Sequence, residues 1–544
     1  MGTVTGSELL ARALRSQGMD TLFYIMGGPM LETESACIQL GVRAIDTRHE
    51  QGAALMAHAY SRVTRRPGVC MGCSGPGMTN LVTGIANAFV DACPLIAVGG
   101  SSPRIYLGME AFQEIDQVAI VRPITKWAER ILDARRIPEL VATAFRQATT
   151  GRPGPVYLDL PGDVLGAQVD EAAVVFPPTW RPAPRALGDP AAIREAVTLL
   201  ARAERPLIVG GSGVWWSDGA EAFQALVEAA GIPFYTTPIS RGTVPEDHPL
   251  AFLNARAKAF AEADVLLAVG TRFNFVLHFG RPPRFAADLK VIHVDVNPTE
   301  LGHNRPVDVP IGGDARAVLE QLVAEARGKL DPRRYAAWVA KLQTLDAEKQ
   351  AEMVKLLTTD QVPIHPLRLC KEVREFLRRD AILVVDGQEI LNYGRQSIPT
   401  FTPGHRLNSG PFGCMGVGLP FGIGAKVARP TTQVVVLHGD GSYGINAMEI
   451  DTAVRHRIPV VVVISNNGGW TADPLGTKPG RNLGFTRYDK AAEALGAHGE
   501  FVEKPHEIRP ALERARASGK PAVVNVITDP TARAQTIRFS AYTT

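Results

Sequence analysis

Cysteine is scarce: Cys37, Cys70, Cys73, Cys93, Cys370 and Cys414 are the only six among 544 residues. Each lies in apolar or Gly-rich surroundings, which excludes a disulfide framework and fits a reducing compartment. The one close pair sits in Val69-Cys70-Met71-Gly72-Cys73-Ser74, a run that reads as a buried strand rather than a redox or zinc motif. Charge of one sign is lacking as well. Lys plus Arg number 58 against 55 for Asp plus Glu, a net charge of +3, so no global field draws in nucleic acid or an anionic membrane. Any anionic ligand must be held by local groups. Long apolar runs are also missing. Stretches such as residues 459–465 fall far short of the ~20 residues that cross a bilayer, the first residues carry no basic and apolar leader, and Gly6 spoils a myristoylation signal. The expectation is a soluble cytoplasmic protein. What is present is core: 45% of residues are hydrophobic and 21% charged, enough for three to four domains at ~150 residues each.

Short apolar segments at residues 21–26, 69–73, 95–99 and 156–160 alternate with helical patterns at 7–17, 50–63 and 78–90, as in a parallel sheet covered on both faces. Pro and Arg then crowd residues 176–185, a linker that cannot be helical. A second strand–helix series starts at Pro206-Leu207-Ile208-Val209-Gly210-Gly211 and continues through 265–270 and 291–296. A charged helical segment at 331–364 leads to a third, with strands expected at 381–385, 433–437, 460–464 and 522–527. The fold class is therefore α/β, with three open, mainly parallel domains: 1–170, a linker at 171–189, 190–330, a linker at 331–364, 365–530, and a tail at 531–544.

The sharpest chemical signal is Gly439-Asp440-Gly441-Ser442 directly after one strand and Asn466-Asn467 directly after the next. Backbone N–H groups where a strand feeds a helix suit a phosphate. A carboxylate and an amide oxygen from adjacent strand ends suit a hard octahedral cation. The pair reads as a site for Mg²⁺ and a diphosphate. Arg48-His49-Glu50-Gln51-Gly52-Ala53-Ala54 places a carboxylate after the expected strand 42–46 and at the head of an Ala-rich helix, either as a dipole partner at the first turn or as a buried acid.

With these motifs the chain resembles the thiamine diphosphate (ThDP) enzymes, from about residue 5 to 528. The resemblance implies pyrimidine-binding, middle and diphosphate-binding domains. Asp440, Asn467 and the Gly469 carbonyl would ligate Mg²⁺, and Gly441, Ser442, Gln388 and Glu389 would line the diphosphate. Glu50 would be the catalytic acid that engages the pyrimidine N1′ and so makes the 4′-amine basic. Met415, in Gly410-Pro411-Phe412-Gly413-Cys414-Met415, would wedge the cofactor, with Gly75, Gly413 and Met415 among its contacts. Because Glu50 and Asp440 belong to different domains, the family pattern implies a homodimer, or a homotetramer of two such pairs, with active sites at the dimer interface.

Within the family, three stretches look most like the 2-hydroxyacyl-CoA lyases: Gly270-Thr271-Arg272-Phe273-Asn274-Phe275 continuing to Arg284, Gly404-His405-Arg406-Leu407-Asn408-Ser409-Gly410, and the basic tail. A CoA ester needs cations for its phosphates, and Arg272, Arg284, His405, Arg406 and the tail's Arg538 are candidates, the tail acting as a lid or simply fraying. Phe112 and Gln113 match a substrate-facing segment. Gly28 stands where the branch usually has Ile, leaving room for a branched acyl group, and Trp470 is expected to shape the acyl pocket. Glu493, amid small apolar residues, is either a second catalytic acid or a solvated side chain. In the middle domain Asp295 either holds a ribose or caps a turn, and Arg152 matches a contact of ADP-binding relatives, although Ser212 replaces their usual lysine. The expected reaction is cleavage of a 2-hydroxyacyl-CoA to a ketone or aldehyde and formyl-CoA. Oxalyl-CoA decarboxylase, acetolactate synthase and a non-catalytic nucleotide-binding protein of this fold are the alternatives.

Overall fold

The computed structural model of the chain describes residues 2–180 and 184–534. It forms two compact units: Met1–Pro184 with Ser409–Thr431 and Asn446–Val460, and Arg185–Asn408 with Thr432–Ile445 and Val461–Thr544. Two segments expected in the third domain, 409–431 and 446–460, are thus built into the first unit.

The first unit holds a six-stranded parallel sheet in the order Arg43–Asp46, Thr21–Tyr24, Gly68–Gly72, Leu95–Ser101, Pro155–Pro161, Trp127–Arg130. Its central strands are buried along their whole length, as a parallel sheet covered on both faces requires. One face packs on the helices Gly6–Ser16 and Ile137–Thr149 through Leu9, Leu10, Leu14, Val141 and Phe145. The helix Glu50–Thr64 runs against Gly418–Ala428. Their approach is so close that a Cβ on Gly424 would lie 2.3 Å from the Met56 carbonyl oxygen, which explains the small residues on both.

The second unit contains two parallel sheets. The five-stranded one has the order Phe234–Thr236, Pro206–Gly210, Val265–Val269, Lys290–Asp295, Val309–Gly312. Ile208, Leu267 and Ile292 enter one core while Leu207, Val209, Leu266 and Ala268 enter another, the period of two expected when both faces are covered. The six-stranded one has the order Arg406–Leu407, Ile382–Asp386, Val434–Gly439, Val461–Asn466, Ala522–Ile527, His498–Val502, around Val385, Leu437, Val463 and Val524. The charged 331–364 segment carries a helix, Ala336–Leu357.

Numbered along the chain, the strands of both six-stranded sheets stand in the same order, 2-1-3-4-6-5, and the five-stranded sheet shares its first four places. In each, the direction of winding reverses between strands 1 and 3, and the carboxyl ends of those strands open a crevice suited to ligands. In the first unit this crevice is bordered by the residues after Tyr24 and Gly72. In the last sheet it is bordered by those after Asp386 and Gly439.

Candidate active site

In the first unit, Glu50 opens its helix and is only 8% exposed. His49 supplies the N-cap, its Nδ1 accepting from the Gln51 N–H at 3.0 Å. That leaves the Glu50 carboxylate unused by the helix end, and Asn80 Nδ2 donates to its Oε2 at 2.9 Å. Its Oε1 faces Gly77, where a Cβ would stand 3.5 Å away. Gly75 caps the next helix with φ of +60°, and a Cβ there would come within 2.7 Å of the Gln113 carbonyl oxygen. Its N–H donates to Gln117 at 2.6 Å, whose amide in turn donates to Asp159, the Gly100 carbonyl and Tyr157. Gln113 accepts from Ser74 at 2.8 Å, and Phe112 is 86% exposed. Gly28 borders the same crevice with no atom within 4 Å of a Cβ built on it. The loop bearing exposed Gly413 and half-buried Met415 is tied down by Asn446, which donates to the Gly416 carbonyl at 2.8 Å.

In the second unit, Asp440 is 2% exposed and its Oδ2 has no hydrogen-bond partner among the described residues. Burial pushes its carboxyl up to about 6 against the N–H groups around it. The Asn467 amide end lies 2.8 Å from the Gly469 carbonyl oxygen and 3.1 Å from Asp440 Oδ1. Either the amide turns its NH₂ toward those two acceptors, or its oxygen joins them around a cation. Gly469 reaches this place because a Cβ on it would fall 1.9 Å from the Arg481 carbonyl oxygen. Ser442 Oγ lies 3.0 Å from both the Gly439 carbonyl oxygen and His438 Nδ1. His438 is wholly buried, and burial carries it down to about 3. Gln388 is exposed, while Glu389 accepts from the Ala534 N–H at 2.8 Å.

The same unit gathers arginines. Burial together with the charges of Arg395 and Arg284 lowers Arg256 to about 10. Burial, Arg241 and Arg284 lower Arg395. Arg241 is neutralised by Glu246 at hydrogen-bond distance. Among the described residues no carboxylate is paired with Arg256, Arg284 or Arg395, and Arg284 lies 3.2 Å from His278 Nε2.

Comparison with known proteins gives the family. The model described as the thiamine pyrophosphate enzyme N-terminal TPP binding domain matches residues 4–120, the central domain 193–322, and the C-terminal TPP binding domain 391–526. The chain belongs to the thiamine pyrophosphate (ThDP) enzyme family. It is 40% identical over 536 residues to the acetolactate synthase large subunit of Mycobacterium tuberculosis, covering 97% of this chain and 96% of that one. It is 34% identical to human 2-hydroxyacyl-CoA lyase 1 and 35% identical to Escherichia coli oxalyl-CoA decarboxylase, each across 97% of this chain and 95% of the relative.

The residues present fit the family's cofactor. The orphaned Asp440 oxygen and the converging amide and carbonyl oxygens form a hard-oxygen set. Among the described residues no group of three His, Cys, Asp or Glu could hold a metal, so this mixed set is where a cation would go.

Two expectations are corrected, those for Glu493 and Arg406, and the other expected residues are located. Glu493 lies on the exposed face of the Tyr488–Ala494 helix and pairs with Lys490 at 2.7 Å, so it offers no desolvated carboxyl for proton transfer. Arg406 is on the Arg406–Leu407 strand, 2% exposed, donating to the Ile398 carbonyl at 3.3 Å; it is a core cation out of reach of a ligand in solution. Trp470 lies over Gly441, where a Cβ would come within 2.8 Å of its ring, so it covers the Asp440 turn. His405 Nδ1 lies 2.7 Å from the Asp380 carbonyl oxygen, and Arg272 is half-buried. Asp295 accepts from the Asn297 N–H at 2.8 Å, capping the turn. Arg152 is half-buried and, with burial, helps lower Lys126 to about 8. Arg538 and the lid lie outside the described residues. Asn80, His438, Arg256 and Arg395 escaped sequence reading because nothing in a helix or loop marks a residue that tertiary packing will bury.

Proposed function

We propose that this ThDP enzyme is a Mg²⁺-dependent 2-hydroxyacyl-CoA lyase, cleaving a branched ester to a ketone, or a linear one to an aldehyde, and formyl-CoA. The observation that carries the reading is the cluster of Arg256, Arg284 and Arg395. Burial and neighbouring guanidinium charge, Arg284 included, lower both Arg256 and Arg395, and with no carboxylate paired to any of the three among the described residues such a group gains most from a multiply charged anion. The phosphates of CoA supply one, and pyruvate's single carboxylate does not.

In the reaction the bond between the thioester carbon and the hydroxyl-bearing carbon breaks. The hydroxyl loses its proton as the new carbonyl forms, and the thioester carbon takes up a proton to become formyl-CoA. ThDP, when bound, supplies the nucleophilic carbon and the electron sink that this cleavage needs. Asp440, Asn467 and the Gly469 carbonyl would hold Mg²⁺, and Gly441 and Ser442 would border the diphosphate. Glu50, one oxygen of which accepts from Asn80, would share a proton with the pyrimidine N1′. Gln113 would bond the substrate hydroxyl or carbonyl, and Phe112 would pack on the acyl group. The functional unit is a homodimer or homotetramer in the cytoplasm.

The test is a side-by-side assay with ThDP and Mg²⁺ of 2-hydroxyisobutyryl-CoA, a linear 2-hydroxyacyl-CoA, oxalyl-CoA and pyruvate. Formyl-CoA with a ketone or aldehyde supports the lyase. CO₂ from oxalyl-CoA alone identifies the decarboxylase. Acetolactate from pyruvate with the esters untouched, the outcome that the mycobacterial relative's name would favour, refutes CoA recognition.

A further inference from the structure

Glu449 is a buried carboxylate that the chemistry above does not use. It opens the helix Glu449–Arg455, is 1% exposed, and belongs to the same compact unit as Glu50. It reaches the start of the Glu50–Thr64 helix. Its Oε1 accepts from the Arg48 N–H at 3.2 Å and the His49 N–H at 3.1 Å, and Oε2 accepts from Thr452 Oγ1 at 2.7 Å. Space for it exists because residue 52 is glycine: a Cβ there would lie 2.4 Å from Glu449 Oε1. Around this clamp Arg48 pairs with Asp451, and Asp46 with Arg455 and His456. The whole approach to Glu50 is therefore pinned to one short helix.

Two successive N–H groups bound to one carboxylate fix the peptide planes just before Glu50. The backbone at His49 is extended, with φ of −151° and ψ of 141°, and the turn into helix begins at the next residue. The direction in which the Glu50 side chain leaves the backbone is set at this junction, because among the described residues Asn80 alone hydrogen-bonds the carboxylate itself. A charged acceptor holds such a junction more firmly than a neutral one. We propose that Glu449 is a positioning residue for Glu50, holding the helix entry so that the Glu50 carboxyl meets the cofactor's N1′ in a productive direction. The inference rests on the reading of Glu50 as the group that engages N1′.

Three variants test it: Glu449→Gln, which removes the charge but keeps the shape; Gly52→Ala, which keeps the charge but displaces the carboxylate; and Glu50→Gln. In the metal- and cofactor-free protein, amide hydrogen exchange over residues 47–52 is expected to rise about tenfold in the first two and to stay unchanged in the third. With ThDP and Mg²⁺ added, exchange of the thiazolium C2 proton is expected to slow about tenfold in the first two, with cofactor affinity held within about twofold, and to be nearly lost in Glu50→Gln. Wild-type C2 exchange in both Glu449→Gln and Gly52→Ala, alongside its loss in Glu50→Gln, overturns the proposal while leaving Glu50's role intact. Unchanged C2 exchange in Glu50→Gln overturns the role of Glu50 and the proposal with it. Should Glu449→Gln fail to fold, Gly52→Ala decides alone.

Discussion

Replacing Asp440 by Asn should make the protein more stable and less able to bind its cofactor. Burial holds the carboxyl at about 6 in the folded protein against an ordinary 3.8, so it is a group whose folded pKa is raised. Its favourable contribution is full below about pH 3.8, where both states are protonated, and is lost as pH rises to about 6, where the unfolded chain ionises first. The gap of about two units corresponds to about 3 kcal/mol at pH 7 and about half that at pH 5, at 1.36 kcal/mol per unit. Asn carries no charge to bury and escapes this cost. The assay is urea denaturation of the metal-free protein at pH 5 and pH 7.5, wild type beside Asp440→Asn, with Mg²⁺-dependent ThDP binding measured in parallel. The variant should gain more at pH 7.5 than at pH 5 and should lose metal-dependent binding. Wild-type affinity should fall about tenfold per pH unit below 6, because the ligand must be ionised. Equal denaturation midpoints at both pH values would refute the buried-charge argument, and wild-type cofactor affinity in the variant would remove Asp440 from the metal site.

Arg256→Ala and Arg284→Ala should each raise KM for a CoA ester about 10- to 100-fold, the range of a charge-assisted hydrogen bond worth about 1.5–3 kcal/mol; an unchanged KM in steady-state assays counts against a CoA site there. Gly28→Ile should fit without backbone strain, since its Cβ meets open space, and should cut turnover of a branched ester more than of a linear one. Equal losses for the two substrates sink the steric explanation. Glu493→Gln should leave kcat within about twofold, because the side chain is exposed and paired with Lys490; a tenfold fall across the pH profile would restore it as an acid–base group.

The central strands were legible because a parallel sheet covered on both faces demands unbroken apolar runs: the segment expected at 522–527 is the strand Ala522–Ile527, and 95–99 grew only to Leu95–Ser101. Trp127–Arg130 and His498–Val502 were not legible. They sit at corresponding edges of the two six-stranded sheets, half-buried, and their polar residues give no apolar run. Glu493 misled for a related reason. Ala491 and Ala494 are apolar neighbours in sequence, but both are exposed, and a short Ala-rich helix does not reveal which face it buries. Arg406 misled because two residues of edge strand between turn-forming segments look like loop. The arginine cluster was invisible except for Arg284, since Arg256 and Arg395 lie far apart in the chain and only folding makes them neighbours.

Asp440 and Glu50 were legible as positions, at a strand end and at a helix start, yet their chemical difference comes from their surroundings. Both are buried carboxylates in units whose six-stranded sheets share one strand order. Asp440 is met by the N–H groups of Gly441, Gly468 and Gly469 and by the Asn467 amide, with one oxygen left over; these donors only partly offset the burial that raises its carboxyl, and a divalent cation would complete the set and favour the ionised form. Among the described residues Glu50 receives one neutral donor, Asn80, and the backbone before it is held by a second carboxylate, Glu449. A cation placed there would have no other oxygen ligands supplied by these contacts, whereas a heterocyclic nitrogen sharing a proton would need none. One strand order thus accommodates an electrostatic anchor and a proton-sharing acid, and the residues that assign each role are a Gly-rich turn in one case and an amide opposite a clamped helix entry in the other.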